Sequence, residues 1–253
     1  MTALGTSCLI EPWIESQKNM AEEDFDIDSL ASYLHLTPDQ VRKMAGRDRL
    51  PGRRVGGDWK FSRAEIHHWL EAKIGAADES ELDEVDRVLS KQPLPPDQPL
   101  ELVQLLAPQR IAFPLNARTK NSVIDKICEF SAESGALWQP KDMAEAIRRR
   151  EELHPTALEN GVALLHPRRP QPNFFGESFV SLGITSSGIP FGGPRGCLTD
   201  VFFLIASADE AIHLRILARL SRLIYVEGFL ENARAASDID QIWQLIIDAE
   251  HLI

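Results

Sequence analysis

Two histidines and one cluster of cations are the side chains in this 253-residue sequence whose types and spacing could do chemistry. His166 closes the apolar run Val162-Ala163-Leu164-Leu165 and is followed at once by Pro167, which places it at the surface end of a strand. A neutral imidazole there has a lone pair with which to attack an electrophile carried by another protein. His213 falls in the second turn of a helix opening at Ser207, among Leu214, Leu217 and Leu220, which face a core. For a lone histidine at either place a hydrogen-bonded structural imidazole is the ordinary role, and spacing alone does not displace it. Other chemistries lack their residues: no Gly-rich loop ends in Lys-Ser or Lys-Thr, and there is no dinucleotide fingerprint, no Gly-x-Ser-x-Gly elbow and no His-Glu-x-x-His. Cys8, Cys128 and Cys197 lie too far apart to read as a disulfide framework or a metal-ligand pattern. No metal or other cofactor is therefore expected, and a reducing cytoplasm is the natural setting.

The cations are Arg42, Lys43, Arg47, Arg49, Arg53, Arg54, Lys60 and Arg63, opposed in that window only by Asp48 and Asp58. A chain with 27 basic and 38 acidic residues has a formal net charge of −11, and spread evenly that charge would repel nucleic acid. It is not spread evenly. Past the basic window come Asp78, Glu79, Glu81, Asp83, Glu84 and Asp86, then Pro93, Pro95, Pro96 and Pro99, the pattern of a stiff, solvated joint. These shifts divide the chain into a tail over 1–24, a small domain over 25–75, a linker over 76–99 and a larger domain over 100–253. The longest wholly apolar run, Val201 to Ala206, is far short of the roughly 20 residues that cross a bilayer, so no membrane span is expected. The N-terminus likewise has no basic flank leading into a long apolar core.

In the small domain Asp28 is a candidate cap for a helix carrying Leu30, Ala31 and Leu34 inward. Thr37-Pro38-Asp39-Gln40 combines a capping box with proline at the first helical position. The second helix turns Val41 and Met44 inward and Arg42, Lys43 and Arg47 outward, and stops near Leu50-Pro51-Gly52. Gly56-Gly57-Asp58 between Arg54-Val55 and Trp59-Lys60-Phe61 predicts a tight hairpin, and Ser62 with Glu65 opens a closing helix through Ile66, Trp69 and Leu70. This is a winged helix-turn-helix plan. The order of Leu50-Pro51, Val55-Gly56-Gly57-Asp58-Trp59 and Trp69-Leu70 resembles the excisionase-type, MerR-like DNA-binding family over about residues 25–74. The plan and the resemblance together imply duplex DNA as a partner, met by Arg42, Lys43 and Arg47 from the second helix and by Arg53, Arg54 and Lys60 from the wing.

The larger domain must position the histidines. Val123, Ile127 and Phe130 recur at helical spacing, as do Met143, Ala146 and Ile147 before Arg148-Arg149-Arg150. Phe179–Thr185 and the nearly all-apolar Val201–Ala206 read as further strands, the latter central, and two helices close the chain. Interleaved strands and helices give an α/β layered domain.

Arg150-Glu151, Thr156 six places after the arginine, Asn160-Gly161, the aliphatic run and His166 together resemble the signature of the enzyme IIA family of the phosphoenolpyruvate-dependent phosphotransferase system. The branch is the fructose/mannitol and nitrogen-regulatory one. The likeness continues in Gly188-Ile189-Pro190-Phe191, in Asp200 and in His213-Leu214, and spans about residues 100–253. It implies a mixed sheet, His166 as the phosphoryl acceptor, His213 as the second active-site histidine, and Arg150 and Thr156 in support. Arg168 and Arg169, next to the histidine in sequence, are weaker candidates for cations at the phosphoryl oxygens, with a solvated role as the alternative. A histidine phosphocarrier and regulatory target proteins are the implied partners; homodimerisation is left open. Leu165 stands where the family usually has proline, and Pro167 where it has a small residue. Three readings follow: a phosphorylatable regulator of DNA binding, an adaptor whose IIA-like domain is inactive, and a transport component whose first domain only docks partners.

Overall fold

A computed structural model of the chain describes residues 24–34, 36–63, 65–66, 69–70 and 101–253. The expected tail, apart from residue 24, and the whole acidic, proline-rich linker lie outside the described residues, as do 71–75. The described residues fall into two compact units, one within Met1–Ala72 and the other within Lys73–Ile253.

In the first unit, α1 (Ile27–Leu34) buries Leu30, Ala31 and Leu34 as its spacing predicts. Its cap is Asp26, not Asp28. The Asp26 carboxylate accepts the Ser29 N–H at 2.8 Å, and the Ser29 hydroxyl accepts the Asp26 N–H at 2.9 Å. Asp28 lies inside the first turn, where it can only complement the helix dipole. The Ser29 bonds hold the Asp26 carboxyl below its ordinary value. A depressed carboxyl stabilises the fold above its unfolded pKa, and that contribution is lost as pH falls through the folded one. Titrating the Asp26 side-chain carboxyl by NMR in the full chain is expected to give a midpoint below the usual aspartate value of about 3.9. Ser29→Ala is expected to move it upward.

Helix α2 (Pro38–Ala45) starts on the expected capping box: Thr37 accepts the Gln40 N–H and Gln40 accepts the Thr37 N–H at 2.8 Å. It buries Val41 and Ala45, while Met44 is only half-buried. Strands β1 (Arg53–Val55) and β2 (Asp58–Lys60) form the antiparallel hairpin. Gly56 and Gly57 take φ of 63° and 98°, the positive values that a two-residue turn matched to strand twist demands. Phe25 bridges Phe61 through two backbone bonds of 2.8 and 2.9 Å, so the chain just before α1 adds a third rung beside the wing. Phe25, Leu30, Val41, Leu50, Phe61, Ile66 and Leu70 make the core.

The second unit is built on a four-stranded mixed sheet in the order β3-β5-β6-β4. Its strands are β3 (Ile111–Ala112), β4 (Val162–Leu165), β5 (Phe179–Pro190) and β6 (Leu198–Ala206), with β5 and β6 antiparallel and the β3–β5 and β4–β6 pairs parallel. Strand β5 runs on to Pro190 past a bulge between Ile184 and Ile189, beyond the expected end at Thr185. Helices α3 (Leu102–Leu105), α4 (Lys120–Glu133), α5 (Pro140–Leu153), α6 (Glu210–Tyr225), α7 (Phe229–Ala235) and α8 (Ile239–Glu250) complete it. Alternate strand residues point to opposite faces. Ala163, Leu165, Phe202 and Leu204 join one core with Val123, Ile127, Met143 and Ile147 of α4 and α5. Val162, Leu164, Val201, Phe203 and Ile205 are buried as well, and α6 packs back against β6. A strand buried on both faces reads as a continuous apolar run, which is why period-2 alternation is missing from β4 and β6.

Residues 156–164 fold as a hairpin that feeds β4. The Leu158 N–H donates to the Val162 carbonyl at 2.7 Å, the Leu164 N–H to the Thr156 carbonyl at 3.4 Å, and Ala157 bridges Ala163. Its turn is Glu159-Asn160, closed by the Gly161 N–H to the Leu158 carbonyl at 3.4 Å, and Gly161 follows at φ 83°. A Cβ there would stand 2.7 Å from Arg234 Nη2 and 3.2 Å from Asp200 Oδ1. Gly161→Ala is therefore expected to lower stability by about 1–3 kcal/mol from backbone strain alone, read by urea denaturation.

Candidate functional site

Strand β4 carries His166 to the C-terminal end of the sheet, one residue beyond Leu165. The expected strand-end position holds, but the ring is not at the surface: His166 is 3% exposed. It turns back along its own strand, with Nδ1 2.8 Å from the Leu164 carbonyl. A carbonyl can only accept, so Nδ1 carries the hydrogen, and in the neutral ring the lone pair is on Nε2. The ring also lies against that of His213, centroids 4.7 Å apart and planes tilted by 55°.

His213 reaches it from the start of α6. The helix opens at Glu210 on an Asp209 cap, whose carboxylate accepts the Ile212 N–H at 2.9 Å, and not on the expected Ser207–Glu210 box. The backbone at Asp209 is still extended, at φ −145° and ψ 172°, so a cap at Ser207 would come too early. His213 thus belongs to the first turn, where its N–H donates to the Asp209 carbonyl at 3.0 Å and the helix dipole favours an anion. It is 7% exposed.

Arg150 and Thr156 flank the loop that leads into the hairpin. Both are buried. From the last turn of α5, Arg150 Nη1 donates to the His154 carbonyl at 2.8 Å, a C-terminal capping contact that ties down the loop. The Thr156 N–H donates to Glu151 Oε1 at 3.1 Å, and the Thr156 hydroxyl bonds to the same oxygen. A carboxylate only accepts, so that hydroxyl's proton is committed to Glu151. Glu151 Oε2 meets Lys120 Nζ at 2.8 Å, with the glutamate side chain 1% exposed. Lys120 also lies 4.9 Å from the centre of the Phe191 ring. In the sequence Glu151 enters only as part of the Arg150-Glu151 motif, with no role of its own, and Lys120 is not singled out. The signal was there, because Glu151 lies on the same helical face as Met143, Ala144 and Ile147. A carboxylate at a core position needs a partner. Arg168 and Arg169 are exposed beyond Pro167.

At the far end of β4, Arg234 from α7 grips Asp200 with Nε and Nη2, at 2.9 and 2.8 Å, and reaches the Asn160 carbonyl at 2.7 Å. This clamp fixes the turn from which β4 begins.

The cations of the first unit are unequally placed. Arg42 pairs with Asp39 at 2.8 Å and Arg53 with Asp24 at 2.6 Å. Arg54 lies over the Trp59 ring, 5.1 Å from its centre, and Arg63 over Phe25 at 4.3 Å. Lys60 is half-buried. Lys43 on α2 and Arg47, which falls in the turn just past the end of α2 and not on the helix as expected, are exposed and have no ion-pair partner among the described residues. Burial pushes the Cys128 thiol far up, away from reactivity, and among the described residues no cluster of three or more His, Cys, Asp or Glu side chains could hold a metal. Among the described residues no helix is long and apolar enough to cross a membrane.

Two family models match the chain. One, described as "Phosphoenolpyruvate-dependent sugar phosphotransferase system, EIIA 2", covers residues 104–249, and the other, a helix-turn-helix domain, covers 25–73. The chain is 27% identical over 151 residues to the nitrogen regulatory protein of Bradyrhizobium diazoefficiens, covering 58% of this chain and 95% of that one. It is 25% identical over 149 residues to the fructose-specific EIIABC component of Bacillus subtilis, covering 58% of this chain but only 23% of that protein's length. Among solved structures, that of IIA mannitol from Escherichia coli superposes with a TM-score of 0.50 at 21% identity, over 55% of this chain and 97% of the other. The complex of enzyme IIAMTL and phosphorylated enzyme IIBMTL from the same organism gives 0.51 at 20% identity, over 57% and 99%. These structural likenesses are of fold.

Proposed function

This chain belongs to the EIIA 2 family of the phosphoenolpyruvate-dependent sugar phosphotransferase system and carries a helix-turn-helix domain. From that premise we propose that it is a cytoplasmic regulator that accepts a phosphoryl group on His166 and couples the charge it gains to duplex binding by its first unit. The observation that carries the reading is the packing of the His166 ring against that of His213, centroids 4.7 Å apart, with the Leu164 carbonyl fixing the reactive tautomer.

In the transfer, Nε2 of His166 attacks the phosphorus of a carrier's phosphohistidine. The new N–P bond forms as the donor N–P bond breaks, and that bond's electron pair returns to the donor ring nitrogen. His166 keeps its proton on Nδ1, donated to the Leu164 carbonyl, so the positive charge that develops on its ring is hydrogen-bonded. His213, at the positive end of α6, faces the charge on the phosphoryl oxygens. Positioning and electrostatics are most of what such a transfer asks of a protein.

Incubation with a phosphorylated histidine carrier is expected to leave an acid-labile, base-stable label on the chain. Burial of His166 favours a second reading, an adaptor in which the IIA domain no longer accepts phosphate. Absence of label from a competent carrier, with duplex binding intact, would decide for it.

A further inference from the structure

We propose that Glu151 is a positioning residue for His166, acting through Thr156 and the backbone of Leu164. The inference rests on the phosphoryl-acceptor reading of His166. Glu151 is a buried carboxylate that uses both oxygens. Oε1 takes the Thr156 N–H and hydroxyl, and Oε2 takes Lys120. Thr156 passes the constraint on, since its carbonyl accepts the Leu164 N–H at 3.4 Å. The carbonyl of that same Leu164 holds His166 Nδ1 at 2.8 Å. A chain of contacts therefore runs from the Lys120 ammonium to the imidazole: an ion pair to Glu151, hydrogen bonds from Thr156 to Glu151 and from Leu164 to Thr156, and the Leu164 backbone, whose carbonyl meets the ring.

The path ties together pieces of chain that the sheet does not join. Lys120 opens α4, Glu151 ends α5, and Thr156 begins the hairpin that delivers β4. Lys120 also donates to the Phe191 carbonyl at 3.4 Å, past the end of β5. Arg150 holds the adjoining His154 carbonyl, so the loop between α5 and the hairpin is gripped by neighbouring side chains. A burial this deep is tolerated only because the carboxylate has two donors on Oε1 and an ammonium ion-paired at Oε2. Without Glu151 the Thr156 loop loses its anchor, the backbone at Leu164 is held less firmly, and the ring loses its fixed tautomer and aim. Misplacement of a reacting group by about 1 Å can cost about 100-fold in rate.

The test uses the full chain as Glu151→Ala, Thr156→Val and Thr156→Ser, with two readouts: the ring nitrogen shifts of His166 by NMR, and single-turnover label uptake from a phosphorylated histidine carrier. Wild type is expected to show the Nδ1–H tautomer. Glu151→Ala is expected to show mixed tautomers and uptake slower by about 10- to 100-fold. Thr156→Val should move both readouts the same way by less, while Thr156→Ser keeps wild-type values. Folded Glu151→Ala and Thr156→Val with unchanged nitrogen shifts overturn the proposal, as does a tautomer change without slower uptake where wild type takes up label, or Thr156→Ser as impaired as Thr156→Val. If Glu151→Ala does not fold, Thr156→Val decides by the same readouts. If wild type takes up no label, the acceptor reading itself has failed, and the His166 nitrogen shifts alone decide the positioning role.

Discussion

His166→Ala is expected to abolish acid-labile labelling by a phosphorylated histidine carrier, because the variant removes the only atom to which the new N–P bond is proposed to form. His213→Ala is expected to keep the site of labelling and lose about 10²–10³-fold in rate, the usual cost of deleting one donor that faces developing oxyanion charge. The contrast between the pair is the informative part. Both rings are buried against each other, so either truncation opens a similar void, and a purely structural effect would slow the two variants alike. A stable label on His166→Ala, released by acid and retained in base, would sink the assignment. Both variants are to be checked for cooperative unfolding, since the cavity alone costs stability.

Lys43→Ala with Arg47→Ala is expected to be the most damaging pair of changes for duplex binding. Each phosphate contact contributes about 0.9 to the slope of log affinity against log salt, so losing both should flatten that slope by about 2. Because these two side chains are exposed and unengaged among the described residues, their loss should not touch the core of the first unit. Arg42 and Arg53 are expected to show smaller effects, since Asp39 and Asp24 already hold them and those pairs must be broken to reach a phosphate. Arg63→Ala should act through stability instead, its guanidinium lying over the Phe25 and Tyr33 rings. Binding unchanged in the Lys43/Arg47 double variant across a salt series would remove α2 as the contact element.

The distribution of what was legible from sequence follows the physics of each signal. The Thr37–Gln40 box, the Gly56-Gly57 turn and the apolar β4 and β6 runs are local, and the structure follows them. Caps were misplaced where two acceptors compete within a few residues: Asp26 against Asp28, and Asp209 against Ser207. In both cases the residue just before the first turn wins, at Asp209 with the backbone still extended, and composition does not reveal that. The histidine pair was reached through motif order, but its burial was not, because nothing local tells a strand-end ring to fold back onto the carbonyl two residues earlier. Glu151 escaped for a related reason. Its partners come from positions 120 and 156, and an acidic residue in a basic, helical run looks solvated until the face it occupies is counted.

The Arg234 clamp has a consequence for how such a sequence can drift. Asn160, Gly161, Asp200 and Arg234 share one set of contacts although the chain separates Asn160 from Arg234 by 74 residues. A side chain at 161 displaces the guanidinium, and a shortened 234 strands the Asp200 carboxylate. Gly161, Asp200 and Arg234 should therefore vary together or not at all in an alignment of relatives, while Asn160, which meets Arg234 through its main-chain carbonyl, is not tied to them by that contact.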